Sequence, residues 1–519
     1  MEIKSETCYT RNIKCSDVYT ESGADYSLPD YLGDVRRVLF TDAVIRPSGK
    51  FLGNNEVEFS GVVVYNLVYL DTDNNLSSVE FTSDYDYSVK CSTENYQDAV
   101  ANTRVSNHAI RLVGPRKISA RSSIVGSAKI SERDSILVSG SATSSEYYPE
   151  INCKSVGVHN TKTSSVVERE YAERVASLEG AIADEVSVVY SSAEVVADNI
   201  NIEGDSVCVK GKLRVSAVIK NEDQPPFNAD KVISFEENIV FDDLDDDIRL
   251  IPKLTVTSLK ANVNPNEHGC EVVLCAIVEF LALGEHNEQV ELLLDAYLKN
   301  NPTKNEYREF EYFNLVELAS SKGIHNAELD RSELEADEIR EIILMKATPK
   351  IERTEYEDGV VNIFGEVRYN GVASVVNNNE LSYISIKTTS PFITNVNIAC
   401  QNIENIVIDT DVFVCDASAS IDANKVYLSC ALESCVSVCQ EKKEKILSSF
   451  EIKQDENYVP RSATITVYYP CSNDTLFGVA KRFHCSGLKI AKDNNISESV
   501  FASSNPDGRL SDIKKLVIY

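Results

Sequence analysis

Apolar and polar residues alternate along most of this chain, and one alternating pattern occurs three times. In each copy a glycine lies eighteen positions after an alanine, and the residues two and four positions on either side of the glycine are apolar. The pairs are Ala43 and Gly61, Ala193 and Gly211, and Ala347 and Gly365. Strict alternation predicts a strand with one buried face, and the glycine shares the parity of the apolar residues. We therefore expect each glycine to point into a core, where it allows close approach of a facing layer.

The copies are spaced by 150 and 154 residues, which predicts an array of like domains. Many short strands separated by Gly, Asn and Asp turns favour antiparallel sandwiches. We predict a mainly β fold with three antiparallel β-sandwich-like repeat domains, short helices, and a small α+β (βααβ) domain at the C-terminus. The expected boundaries are a polar arm or edge strand over 1–25, repeats over 26–150, 165–305 and 325–455, and the last domain over 460–519.

Two helices are expected, one before the second repeat and one before the third. Val166–Asp184 mixes apolar residues with acidic and basic ones in a pattern that favours a helix over a strand. Glu333–Ile343 has the same character, and Asp330 or Ser332 is the expected N-cap.

The last sixty residues have a different pattern. Thr464–Tyr469 predicts one short strand, and Asp474 is the expected N-cap of a helix. Leu476, Val479, Ala480 and Phe483 have helical spacing along that helix. A second short helix is expected over Gly487–Asp493, and the terminal KKLVIY predicts a closing strand.

Charge separates this last module from the rest of the chain. Asp and Glu outnumber Lys and Arg by 81 to 51, which gives a net charge of −30. From Tyr458 to Tyr519 there are eight basic and five acidic residues, so this part carries +3 and the other 457 residues carry −33. The acidic array should repel nucleic acid and anionic membranes. The basic module suggests an interaction head for an anionic partner, although a chance fluctuation of surface charge explains it equally well.

No targeting or membrane segment is visible. The start, MEIKSETCYT, has no apolar core, and apolar stretches such as Val272–Leu283 are interrupted by charge. We therefore expect a cytoplasmic protein without direct membrane insertion.

The fourteen cysteines do not form a metal-binding pattern, because Cys-x-x-Cys is absent. In the densest group, Cys435 and Cys439 share one face of a strand and Cys430 takes the other, so the three cannot close a tetrahedral site. We predict reduced structural cysteines and neither metal nor cofactor.

Motifs of the common enzyme classes are also absent. Lys210, Gly211 and Lys212 lie in the middle of a strand, where backbone amides cannot cradle a phosphate. The acidic run over 241–247 lacks the spaced ligands and the glycine of a calcium loop, which favours a solvated loop. We predict that the chain is not an enzyme.

The C-terminal residues resemble a LysM module. The matching positions are Asp474, Thr475, Leu476, Val479, Ala480, Asn494 or Asn495, and Leu516–Ile518. Asn473 replaces the usual turn glycine, and the glycine before the last strand is missing. The three upstream copies resemble the SPOCS domain of sporulating Firmicutes, most clearly in the second copy. SPOCS repeats followed by a LysM module are the arrangement of SipL-like spore coat morphogenesis proteins.

This resemblance implies a non-enzymatic adaptor at the forespore surface, in the mother-cell cytoplasm, that docks through the LysM module onto the coat-basement ATPase SpoIVA. It also implies a shallow groove formed by Asn473, Asp474, Thr475, Leu476, Asn494, Asn495 and Ile496. Asp474 and Thr475 can instead cap a helix, and Leu476 can be core. The alternatives for function are a peptidoglycan-binding protein, and a hydrolase with an unrecognised site. The chain has no Trp to serve as a glycan platform, which favours protein docking.

Overall fold

The computed structural model describes residues 2–14, 17–92, 94–141, 149–221, 224–242, 244, 247–299, 302–334, 336–377, 380–399, 404–422, 425–452, 465–471, 473–496, 510 and 513–519. The fold is mainly β, as predicted, with several antiparallel sheets and two short α-helices in this part of the chain. Parts of the predicted segments 241–247 and 460–519 lie outside the described residues.

The strands group into three consecutive units. Unit 1 contains β1 (Glu2–Lys14), β2 (Val18–Ser27), β3 (Val35–Leu52), β4 (Glu56–Asp71), β5 (Leu76–Lys90), β6 (Tyr96–Gly114) and β7 (Lys117–Ser141). Unit 2 contains β8 (Glu150–Thr163), β9 (Val167–Glu179), β10 (Val186–Glu203), β11 (Ser206–Asn221), β12 (Gln224–Val240), β13 (Arg249–Asn266) and β14 (Gly269–Tyr297). Unit 3 contains β15 (Thr303–Asp330), β16 (Glu338–Glu357), β17 (Val360–Asn377), β18 (Glu380–Asn397), β19 (Ile406–Asp422) and β20 (Lys425–Ile452). The C-terminal module contains β21 (Thr466–Tyr468), α1 (Leu476–Arg482), α2 (Gly487–Asp493) and β22 (Leu516–Ile518).

The repeated alanine and glycine lie on two paired strands of a three-stranded sheet. The three sheets are β3-β4-β5, β10-β11-β12 and β16-β17-β18, each with its second strand in the middle. Each alanine pairs with the residue four positions after the glycine: Ala43 with Tyr65, Ala193 with Val215 and Ala347 with Tyr369. The spacing of eighteen residues is therefore constant because the hairpin has the same length in each unit.

The three glycines are buried, which confirms the predicted inward placement. Each glycine is paired with a residue next to a register shift in the neighbouring strand, as Gly211 is with Ala197. A Cβ added at Gly211 would lie 2.1 Å from the carbonyl oxygen of Val196 and 2.6 Å from the ring of Phe235. The ring facing Gly61 is Tyr85, and the one facing Gly365 is Phe392. Glycine is thus required because the bulged strand and an aromatic ring both approach its α-carbon.

A second layer covers each three-stranded sheet and is built around one long strand. The N-terminal half of β7 lies between β2 and β6, and that of β14 lies between β9 and β13. The N-terminal half of β20 lies between β19 and the second half of β15. All these pairings are antiparallel. Apolar residues of the two layers form one buried cluster in each unit.

The C-terminal halves of the long strands leave these layers and form three two-stranded ribbons. The ribbons are β1 with 129–141 of β7, β8 with 283–297 of β14, and 303–315 of β15 with 439–452 of β20. The segment 1–25, expected as an arm or edge strand, thus supplies β1 and most of β2. Both are paired with β7 along their length.

Three shared cores of the described residues join the three units. The first contains ribbon residues from all three units: Tyr9, Ile136, Val156, Val158, Val290, Leu292, Phe310, Tyr312 and Ile446. The second lies at the ends of the ribbons and contains Val138, Ala296, Leu298, Leu447 and Phe450. The third joins equivalent positions of the three-stranded sheets, including Leu39, Val189 and Ile343, which each lie four residues before the repeated alanine. Residues 449–451 of β20 also pair in parallel with 139–141 of β7, so the first and third units are directly joined.

Both predicted helices are wrong. Val166–Asp184 contains β9 instead, followed by a single 3₁₀ turn at Ala183–Glu185. Glu333–Ile343 spans the end of a 3₁₀ turn, Arg331–Leu334, and the start of β16. In both places tertiary strand pairing overrides the helix propensity of a sequence rich in Glu and Ala.

Candidate functional site in the C-terminal module

The C-terminal module has the predicted order of strand, helix, helix and strand. β21 and β22 pair antiparallel, and α1 and α2 pack on them around a small core. The core residues of the module are Leu476, Val479, Ala480, Ile490, Ala491, Leu510, Leu516 and Ile518. The α1 residues expected at helical spacing, Leu476, Val479 and Ala480, are therefore buried, with Phe483 partly buried beside them.

The first side of the predicted groove is a turn ordered by Asp474. One carboxylate oxygen accepts hydrogen bonds from the Cys471 N–H at 2.7 Å and the Tyr468 hydroxyl at 2.8 Å. These bonds favour the ionised form and lower the pKa of Asp474. The N-cap of α1 is Thr475 and not Asp474 as predicted, because the Thr475 hydroxyl accepts from the Gly478 N–H at 3.0 Å.

The second side of the predicted groove is fixed by Asn494. Its amide donates to the carbonyls of Ile490 at 2.8 Å and Val517 at 2.7 Å, and its oxygen accepts from the Val517 N–H at 2.7 Å. The side chain therefore ties α2 to the closing strand. Asn495 follows in a left-handed conformation with φ of 56°, which asparagine adopts more readily than most residues.

The seven predicted site residues thus fall into two groups. Leu476 lies in the core, while Asp474, Thr475 and Asn494 direct their side-chain hydrogen bonds into the module. Asn473 and Asn495 are exposed, and Ile496 is partly buried against the core. The exposed pair, with the backbone around it, is the part of the predicted groove that a partner can reach.

The module is docked onto unit 2, which the sequence did not predict. Tyr297, at the end of β14, belongs to the core of the module, stacks edge-on against Phe477 at 5.1 Å and donates to the Cys485 carbonyl at 2.8 Å. Beside it, Lys481 donates to both carboxylate oxygens of Asp295 at 2.7 and 2.6 Å. About 186 residues separate Lys481 from Asp295, so no local pattern could have revealed this contact.

The C-terminal module also has exposed apolar side chains. Ile465, Val467 and Tyr469 alternate along β21 and its ends, and Tyr519 follows β22. Among the described residues of the module, the exposed basic ones are Arg482, Lys489, Lys492, Lys514 and Lys515. The module thus presents apolar, aromatic and cationic side chains to solvent.

Protein-family models, curated proteins and solved structures contain no match to this chain. Among the described residues, no helix has the length and apolar character needed to cross a membrane. Nor do the described His, Cys, Asp and Glu side chains form a group of three or more that could hold a metal ion. The site must therefore be judged from its own geometry.

Reversing the charge of Lys481 should loosen the module from unit 2. The change Lys481→Glu replaces the ion pair with Asp295 by a half-buried repulsion, which we expect to cost about 2 kcal/mol of docking free energy. Hydrogen exchange of α1 and of the end of β14 should become about thirtyfold faster. Lys489→Glu, on the exposed side of α2, should leave the exchange of both segments unchanged. Equal exchange in the two variants would show that this ion pair does not hold the module.

Proposed function

We propose that this protein is a SipL-like, non-enzymatic adaptor of spore envelope assembly. In this proposal each unit is one sandwich-like SPOCS repeat, the C-terminal module is LysM-like, and the module docks onto a SpoIVA-type ATPase in the mother-cell cytoplasm. The observation that carries the proposal is the combination of three units of one strand order with a βααβ module whose first helix starts at the Asp-Thr-Leu turn.

The arrangement of the module supports a role in docking. One side of it is held by Tyr297 and Asp295, which gives it a defined orientation on the units. The exposed Asn473 and Asn495 remain accessible to a partner. A fixed orientation lowers the entropic cost of binding a large partner, which favours an adaptor over a flexible tether.

Peptidoglycan binding is the second candidate. The ring of Tyr469 is 69% exposed and lies close in sequence to the first turn of the predicted groove. An exposed aromatic ring next to amide side chains is a surface on which an N-acetylglucosamine glycan can stack and form hydrogen bonds.

The two candidates are distinguished by one pair of surface changes. Asn473→Ala with Asn495→Gly removes both exposed amides and preserves the left-handed backbone at position 495. If the groove is the docking surface, the double variant should bind purified SpoIVA-type ATPase at least about tenfold more weakly in a titration. Lys489→Ala is the matched surface control and should bind as the parent protein does.

Binding to the ATPase that survives both these changes and deletion of residues 458–519 would contradict docking through the module. Sedimentation with purified peptidoglycan that is lost in the same double variant would support the glycan candidate instead.

A further inference from the structure

A cysteine, a histidine and a glutamate from two units form a hydrogen-bonded series where the ribbons leave the facing layers. The sulfur of Cys439 in β20 lies 3.4 Å from Nδ1 of His159 in β8. The other ring nitrogen of His159, Nε2, lies 2.5 Å from a carboxylate oxygen of Glu285 in β14. A nucleophile followed by an imidazole and a carboxylate is the arrangement by which proteins activate thiols.

Glu285 is fully buried and is held by more than the histidine. Its carboxylate accepts from the Thr161 hydroxyl at 2.8 Å and from the ammonium of Lys129, in unit 1, at 3.1 Å. Burial disfavours the ionised form, but the hydrogen bond from His159 and the charge of Lys129 outweigh it and lower the pKa of Glu285 to about 2. The carboxylate therefore stays charged and fixes the orientation of the imidazole.

The histidine presents positive charge to the sulfur. Burial alone would lower the pKa of His159, but its hydrogen bonds with Cys439 and Glu285 outweigh burial and raise that pKa to about 9. Lys129 adds a second cation, while Asp409 of β19 lies 3.9 Å from Lys129 and balances part of its charge. An imidazolium in contact with a cysteine favours the thiolate, which is the reactive form.

The geometry does not fit a metal site. Nδ1 faces the sulfur and Nε2 faces the carboxylate, so the two groups lie on opposite edges of the ring. One ion cannot be bound by all three side chains in that arrangement.

The side chain of Cys439 faces away from the core of its own unit. Val436 and Val438 point into the core of unit 3, so Cys439 has the opposite orientation and is partly exposed. Ser437 and Lys129 line a cavity of about 1470 Å³ between the three units. On β20 the lining of this cavity reaches Ser437, two residues from Cys439 and on the same face of the strand, and it includes the lysine that contacts Glu285.

We infer that Cys439 is a nucleophilic thiol, activated by His159, which reacts with low-molecular-weight disulfides. The thiolate sulfur attacks one sulfur of the disulfide, a new S–S bond forms to Cys439, and the original S–S bond breaks. The departing thiolate takes up the proton that Cys439 released, so one thiol is consumed and one is produced. His159 contacts the reacting sulfur, and Glu285 is a positioning residue that acts through it.

The reaction is measured on the reduced full-length protein with 5,5′-dithiobis(2-nitrobenzoate), a small aromatic disulfide, at less than one equivalent. Labelled sites are mapped by mass spectrometry at pH 6, 6.5, 7 and 8. Cys8 and Cys471, both exposed, are internal controls in the same molecule. At pH 6.5 an ordinary thiol is only about 1% thiolate. We expect Cys439 to react at least about tenfold faster there than either control, although it is less exposed.

The pH dependence of the labelling rate distinguishes activation of the Cys439 thiol from mere exposure of its sulfur. Rates at Cys8 and Cys471 should fall about tenfold for each pH unit below 8, while the rate at Cys439 should fall much less. His159→Asn should bring Cys439 to the rate of the controls or below it. Glu285→Gln should give Cys439 the steep pH dependence of the controls. Slower labelling of Cys439 than of Cys471 in the unaltered, folded protein at every pH would overturn the inference without any variant.

Discussion

Gly211→Val should destabilise unit 2 by about 3 kcal/mol, because a side chain at this position has no space on either side. The new Cβ would lie 2.1 Å from the Val196 carbonyl oxygen, which belongs to the paired strand and cannot move without breaking its hydrogen bonds. The ring of Phe235 closes the other side at 2.6 Å. For a unit of this size the loss corresponds to a melting temperature lower by about 6–12 °C.

Scanning calorimetry, with hydrogen exchange of β10, β11 and β12, measures the effect on unit 2 itself. Gly323→Val is the matched control, because a Cβ at Gly323 in β15 meets no atom within 4 Å. Gly61→Val and Gly365→Val should repeat the effect in units 1 and 3. Unchanged melting of Gly211→Val would mean that the sheet tolerates a side chain between the bulged strand and the ring.

The part of the fold that could be predicted is the part encoded locally. The hairpin of constant length places alanine and glycine eighteen residues apart, and alternation gives the buried face. The burial of Gly61, Gly211 and Gly365 follows from that parity alone. The order of the C-terminal module was also predictable, because its caps and helical spacing lie within a few residues of one another.

The two wrong helices have a common physical cause. In β9 the apolar residues Val167, Tyr171 and Val175 are four apart, which fits both a strand of period two and a helix. A register shift near Val175 then changes which of the following residues, odd- or even-numbered, face the core. In β16, irregularities near Ile339 and Ile342 create spacings of three and four between apolar residues. A bulge inserts one residue, so a bulged strand imitates helical periodicity.

Contacts between units could not be predicted, because they join residues that are remote in the sequence. His159 and Cys439 are 280 residues apart, and no pattern within either strand indicates the other. Similarly, the partners of Lys481 are Asp295 of unit 2 and Tyr307 of unit 3, and neither lies in its own module. A single sequence shows which residues share a face, but it does not show which faces of distant strands meet.

Asp42→Ala should be the most destabilising single change at the junction of the three units, by about 3–5 kcal/mol. Asp42 of unit 1 is 5% exposed and accepts hydrogen bonds from Lys346 of unit 3 at 2.7 and 2.8 Å and from the hydroxyl of Tyr190 of unit 2 at 3.0 Å. Burial alone would raise the pKa of Asp42, but Lys346 and Tyr190 lower it. Without the carboxylate, a half-buried ammonium and a buried hydroxyl both lose their acceptor.

Urea unfolding monitored by circular dichroism at pH 7 and at lower pH measures this loss. Because folding lowers the pKa of Asp42, its contribution is present above the unfolded value of about 3.9 and is lost as the pH falls through the lower folded value. The difference between parent and variant should therefore shrink in strong acid. Asp25→Ala, which removes an exposed partner of Arg121, is the control and should leave the free energy of unfolding nearly unchanged.

A double variant distinguishes the contribution of the Lys346 charge from that of the packing of its side chain. In Asp42→Ala with Lys346→Met the orphaned charge is gone, so the double variant should be more stable than Asp42→Ala alone by about 2 kcal/mol. If adding Lys346→Met destabilises further, the lysine stabilises the junction through its aliphatic chain and not through its charge. Recovery by the double variant would instead show that the main cost of Asp42→Ala is the uncompensated ammonium of Lys346, since the two proteins differ only at that side chain.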